Sequence, residues 1–142
     1  FQNWGRAGSG LDMVGCHRGV VTGSSFAHAD PAAVNGLQAK GGSTAVVVRG
    51  NRFTNAGSRA VMIGGYTDLA AFRPAYAGYE AKDVTVEGNV FTGSQAPVVF
   101  AGSDGGVFRF NTIYRPTRYA VRILTESTYP GFIPTRNGVV SD

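Results

Sequence analysis

Taking a proton from the carbon beside a sugar carboxylate needs a base and a cation that neutralises the carboxylate. Lys40, Arg59 and Arg73 are the residues of this chain whose types suit those two parts. Lysine or arginine serves as a base only where burial or neighbouring positive charge lowers its pKa. Lys40 is therefore the candidate base, and Arg59 or Arg73 the candidate carboxylate clamp. The stretch 65–81 adds Tyr66, Asp68, Phe72, Tyr76, Tyr79 and Glu80. Aromatic faces stack on sugar rings and a guanidinium grips a carboxylate at two points. The same aromatics, with Pro74, would equally serve to pack that stretch onto the body of the protein. Gln38, Arg122 and Glu126 complete the candidate binding set, with Glu126 an alternative acid or base.

Other chemistries are poorly served. One cysteine, Cys16, excludes an intrachain disulfide and a cysteine-based metal site. Cys16 beside His17 reads as packing and surface, because adjacent positions seldom bring a thiol and an imidazole together. His17 and His28 lack the spacing of a ligand pair. Calcium wants several carboxylates in one place, yet Asp12 and Glu126 lie at opposite ends of the chain. A glycosidase needs two carboxyl groups within about 10 Å, and only Asp68 and Glu80 offer such a pair, at a distance that nothing in the sequence sets. No cofactor or metal is expected.

These residues need a scaffold, and composition points to an all-β one. The chain has 142 residues, 43% of them hydrophobic and 21 of them Gly, which suits one domain over 1–142 with a single core. Leucine occurs only at 11, 37, 69 and 124, while valine and turn-forming residues abound. The net charge is +4, and arginine supplies all the basic residues except Lys40 and Lys82. The arginines are spread singly, so an acidic polysaccharide is the expected partner ahead of nucleic acid. No apolar run approaches the roughly 18 residues of a membrane span.

Internal repetition is the main signal. Valine-rich stretches each lead through a polar turn to one large apolar residue. They run Gly19–Phe26, Val46–Phe53, Val84–Phe91 and Gly106–Ile113, and Gly138–Val140 begins another. The closing residues Phe26, Phe53, Phe91 and Ile113 are spaced by 27, 38 and 22. A second strand precedes each unit, at 11–14, 37–40, 61–64, 98–101 and 121–124. Its first and third residues are apolar in all five copies (Leu11 and Met13, Leu37 and Ala39, Val61 and Ile63, Val98 and Phe100, Val121 and Ile123). Strand side chains alternate faces, so these pairs are expected to point inward.

Stacked rungs would place the intervening residues in outward columns spaced about 4.8 Å apart. One column reads Asp12, Gln38, Met62, Val99, Arg122; the next reads Val14, Lys40, Gly64, Ala101, Leu124. The small residues after Lys40 would leave a shallow floor for a sugar, although an ordinary solvated lysine fits as well. Arg122 would lie roughly 14 Å from Lys40, within reach of another sugar of the same chain. Asn51, Asn89 and Asn111 are expected to form a ladder of stacked amides. Arg49, Glu87 and Arg109 form a column of alternating charge suited to cross-strand ion pairs.

The Gly-Asn-x-Phe turns at Gly50–Phe53 and Gly88–Phe91, with Phe110-Asn111-Thr112-Ile113, resemble the right-handed parallel β-helix repeat of pectate-lyase-like proteins. That superfamily holds polysaccharide lyases, glycoside hydrolases, epimerases, tailspikes and adhesins. The resemblance covers nearly the whole chain from about Leu11 onward. The strings Ala39–Ser43, Ala56–Val61 and Gly64-Gly65 are similar to a subgroup of bacterial β-helix proteins without a firmly assigned activity. The resemblance implies a right-handed solenoid of about five rungs with one extended loop near 65–81. It also implies a secreted or cell-surface location. One fold hosts many reactions, so the activity stays open. A uronate lyase acting by β-elimination, or a binder of acidic glycans, is the first expectation. The rival is a non-catalytic structural or adhesive module that self-associates through exposed solenoid ends; a third reading is an open reading frame with no optimised function. The first residue is Phe1, not Met, and the last lie within a repeat, so the chain reads as processed or as part of a longer one.

Overall fold

The computed structural model describes residues 1–30 and 33–142. The protein is all-β, and its strands lie in four parallel sheets. The first sheet takes Ser9–Val14, Asn35–Lys40, Arg59–Gly64, Ala96–Ala101 and Val121–Leu124, in that order. The second takes Val20–Thr22, Val47–Arg49, Thr85–Glu87, Val107–Arg109 and Val139–Ser141. The third takes Ser25–Ala27, Arg52–Thr54, Val90–Thr92 and Thr112–Tyr114, and the fourth takes Ser43–Thr44, Ala81–Lys82 and Ser103–Asp104. Every sheet adds its strands in chain order. Successive passes of the chain therefore lie one on the next, which is the arrangement a β-helix requires.

The register follows the repeat. Leu11 pairs with Leu37, Leu37 with Val61, Val61 with Val98 and Val98 with Val121. Two residues on, Met13, Ala39, Ile63, Phe100 and Ile123 pair in the same succession. A shift of one residue would turn the buried Leu37, Ala39, Val61, Ile63, Val98 and Phe100 outward, so burial holds the register there, while Ile123 on the last strand is 67% exposed. The third sheet sends Phe26, Phe53 and Phe91 inward, with ring centroids 4.8 Å apart along the stack. Phe1 extends it at 4.6 Å. That repeat matches the spacing of neighbouring strands, so each ring stacks without straining its backbone.

The polar turn before the third sheet is held by the expected amide ladder. The Asn89 side-chain oxygen accepts from the Asn51 backbone N–H at 2.9 Å and from its amide at 3.0 Å. Asn111 repeats both bonds to Asn89. Of the alternating charge column, Glu87 and Arg109 form an ion pair at 2.9 Å.

Between the first and second sheets the connection is short at 41–46 and 102–106, but long at 65–84 and 125–138. The two long connections leave the same edge of the first sheet and meet there. The first contains a single 3-10 turn, Leu69–Ala71. It packs against Gly42, which adopts φ +87°; a Cβ there would meet the Arg73 carbonyl oxygen at 2.5 Å. A side chain at Gly42 would therefore be both strained and in collision.

Candidate functional site

The outer face of the first sheet, expected to be an open groove, is largely covered. Gln38, Met62 and Val99 of the outward column are 6%, 1% and 0% exposed. Tyr119 and Leu124 pack onto Met62, Ala96, Val99 and Ala101 as a second small apolar cluster. Gln38 accepts from the Asn35 amide at 2.9 Å and donates to the Gly64 carbonyl at 3.1 Å. Its amide is therefore spent inside the protein.

Glu80 packs beside Gly64, which with Ala101 was expected to leave a shallow sugar floor, and beside Gly102. Its side-chain carbons lie 3.2–3.3 Å from where a Cβ on either glycine would stand. The carboxylate is fully buried and accepts four hydrogen bonds. One oxygen takes the Gly41 N–H at 3.0 Å and the Thr67 hydroxyl at 2.7 Å. The other takes the Thr67 N–H at 3.0 Å and the Ser127 hydroxyl. A buried carboxylate requires such donors, and these come from both long connections and from the turn after Lys40. Glu80 presents no surface to a glycan and instead ties three segments together.

The three candidate catalytic residues have separate partners. Lys40 pairs with Asp12 at 3.3 Å, across neighbouring strands of the first sheet. Arg59 pairs with Glu126 at 3.1 Å and also points a guanidinium nitrogen at the Met62 sulfur, 3.2 Å away. The pair Arg59–Glu126 thus joins two of the residues singled out in the sequence, as mutual partners. Arg73 donates to the carbonyls of Ala70 and Phe72, at 3.0 and 2.6 Å, within its own loop. Among the described residues, no group of three or more His, Cys, Asp or Glu is placed to hold a metal ion, and no helix is long and apolar enough to cross a membrane.

The loop aromatics divide between packing and exposure. Phe72 is buried, edge-on to Phe132 at 5.2 Å. Tyr66 is exposed; its ring lies 5.8 Å from that of Tyr129, tilted, and its hydroxyl accepts from Tyr129 at 2.7 Å. Tyr76 is 94% exposed and sits at φ +59°. Tyr79 is partly exposed. Leu69, Tyr76, Gly78, Tyr129, Pro130 and Phe132 line an apolar basin of about 390 Å³ between the two long connections. The Ile133 N–H to Gly78 carbonyl bond, 2.9 Å, closes its floor. A furrow of similar size, about 370 Å³, runs over the amide ladder, but it is lined by Gly, Ser, Asn51, Arg52 and Val90 and holds no aromatic face.

Tyr129 and Phe132 were not among the residues picked out from the sequence. Their signal was the length of 125–138, a second connection far longer than its counterparts at 41–46 and 102–106.

The hydrogen bond to Tyr66, followed by burial and the charges of Tyr66, Asp68 and Glu80, pushes the Tyr129 phenol up to about 12. An unfolded tyrosine titrates near about 10. The folded protein thus holds this proton more tightly than the unfolded chain. The stabilisation is complete below about pH 10 and is lost as the pH rises through about 12. An ultraviolet titration of the phenols should show one late step, and Tyr66→Phe should bring it down. Superimposable curves for parent and variant would contradict the pairing.

No family model, curated protein or solved structure matches the chain. Fold and site together define the class: an all-β protein of stacked parallel strands, carrying an aromatic basin where two long connections meet.

Proposed function

We propose that this protein is a right-handed β-helix of the pectate-lyase-like kind, about five rungs long, secreted or displayed at a cell surface, that binds an acidic glycan without cleaving it. The exposed Tyr76 ring, standing over an apolar basin on a loop anchored by buried Glu80, is the observation that carries this reading. A large aromatic held in solvent on a fixed loop offers a flat apolar face, which is what a sugar ring stacks upon. The basin walls, Tyr129 and Leu69, extend that face. The net charge of +4 supports an acidic partner. Lys40, paired with a carboxylate, supports binding ahead of β-elimination.

Affinity electrophoresis and calorimetry against polygalacturonate, alginate and neutral glucans test it. Retention by at least one acidic glycan is expected, and Tyr76→Ala should weaken it about tenfold, the worth of one ring stacking. Unsaturated-uronate absorbance should not appear. No retention by any acidic glycan, or an unaltered Tyr76→Ala protein, would overturn the proposal.

A further inference from the structure

The basin takes the faces of sugar rings but offers little to their carboxylates. Asp68 stands close enough to Tyr129 to act on its titration, and the Arg73 Nη1 is spent on two backbone carbonyls. The charge of an acidic glycan needs another place.

The segment 115–120 between the third and first sheets, with the strand Val121–Leu124 that follows it, supplies one. Arg118 and Arg122 both lie against the ring of Tyr119, their guanidinium carbons 5.1 and 5.2 Å from its centroid. The two charges are therefore held within about 10 Å of each other by one side chain. Arg115 lies 5.0 Å over the neighbouring Tyr114 ring. Among the described residues none of these three arginines has an acidic partner. Arg59, Arg109 and Arg136, by contrast, are each paired with a carboxylate. Glu126, the acid nearest in sequence, belongs to Arg59.

Tyr119 is itself fixed. Its ring packs on the cluster of Met62, Ala96, Val99 and Ala101. Its N–H bonds the Gln95 carbonyl at 2.8 Å, and the Thr117 N–H bonds the Ser94 carbonyl at 2.8 Å. Like charges repel, so two guanidinium groups drawn to one anchored ring without a counterion form a prepared anion site. Arginine's planar fork suits carboxylate oxygens in particular.

We infer that Arg118 and Arg122, held against Tyr119, are the site that takes the carboxylates of an acidic polysaccharide. This rests on the acidic-glycan reading for the identity of the ligand. A nucleic acid would call for a row of free cations tracking its phosphates, and the other arginines here are scattered or paired.

The experiment is a nitrogen–proton NMR titration of the whole protein with trigalacturonate, with its full methyl ester, and with a short single-stranded oligonucleotide. The arginine Nε–Hε signals and the tyrosine ring signals are followed together. Trigalacturonate should shift the Arg118 and Arg122 signals, and the ester should not. Replacing both by alanine should weaken trigalacturonate binding about tenfold or more, with circular dichroism unchanged. Arg118→Lys with Arg122→Lys should recover part of it. Unmoved arginine signals at saturation, an equal response to the ester, or a stronger response to the oligonucleotide would each overturn the inference. Shifts at Tyr76 and Tyr129 alone would keep the basin and remove the arginine site. Shifts at the arginines alone would do the reverse, and no shift anywhere would remove both.

Discussion

Glu80→Ala is expected to destabilise the protein by about 3–5 kcal/mol, because it strands several buried donors at once. The Gly41 N–H, the Thr67 N–H and hydroxyl, and the Ser127 hydroxyl would all lose their acceptor. An unsatisfied buried donor costs about 1–3 kcal/mol, and relaxation of the hydroxyls keeps the total below the simple sum. Glu80→Gln should cost less, since one carbonyl oxygen still accepts. Urea unfolding measures both. Hydrogen exchange should locate the damage, with protection lost first at Thr67 and in 124–136, where Glu80 joins the two long connections. Glycan binding at the basin should fall with it, because Tyr66–Tyr129 and Phe72–Phe132 depend on those connections staying together. A loss below about 1 kcal/mol would mean that the carboxylate does not tie the two connections together.

The second large effect is expected in the phenylalanine stack. Phe53 is buried between Phe26 and Phe91, with each neighbouring ring 4.8 Å away. Phe53→Ala should cost about 3–5 kcal/mol through lost burial and the cavity left behind. The stacked strands on either side are fixed by their ladders and can collapse little. Phe53→Leu should cost distinctly less because it refills most of that space. Phe1 stacks on Phe26 from the end and is exposed, so Phe1→Ala should lose only a small part of that amount. Equal losses at Phe1 and Phe53 would show that the stack does not act through burial.

Part of this architecture was legible because it repeats. Each pass of the chain solves the same packing problem, so Leu37, Val61 and Val98 can be aligned by eye and their alternation tells the inward face from the outward one. The Asn51, Asn89 and Asn111 ladder was legible for the same reason: a turn amide that bonds the next turn must recur at the same place in each repeat. Ion pairs such as Lys40–Asp12 were less so. Those two residues are not directly opposite in the register, where Asp12 faces Gln38 and Lys40 faces Val14. A long side chain reaches diagonally, and column arguments do not see that.

The candidate site was hardest to read because it does not repeat. The sequence by itself determined the parallel pairing, the inward faces and the asparagine ladder, since period-two alternation and a recurring turn are local patterns that burial enforces. Only the tertiary structure decided what covers the outward face. Met62 and Val99 are apolar there because Tyr119 and Leu124 lie on them. Glu80 turned inward because Ser127, far along the chain, arrives with Gly41 and Thr67 to satisfy it. Where a unique loop goes depends on which buried polar groups it can satisfy and which apolar surface it can cover. Both come from distant parts of the chain, which no neighbouring repeat reveals.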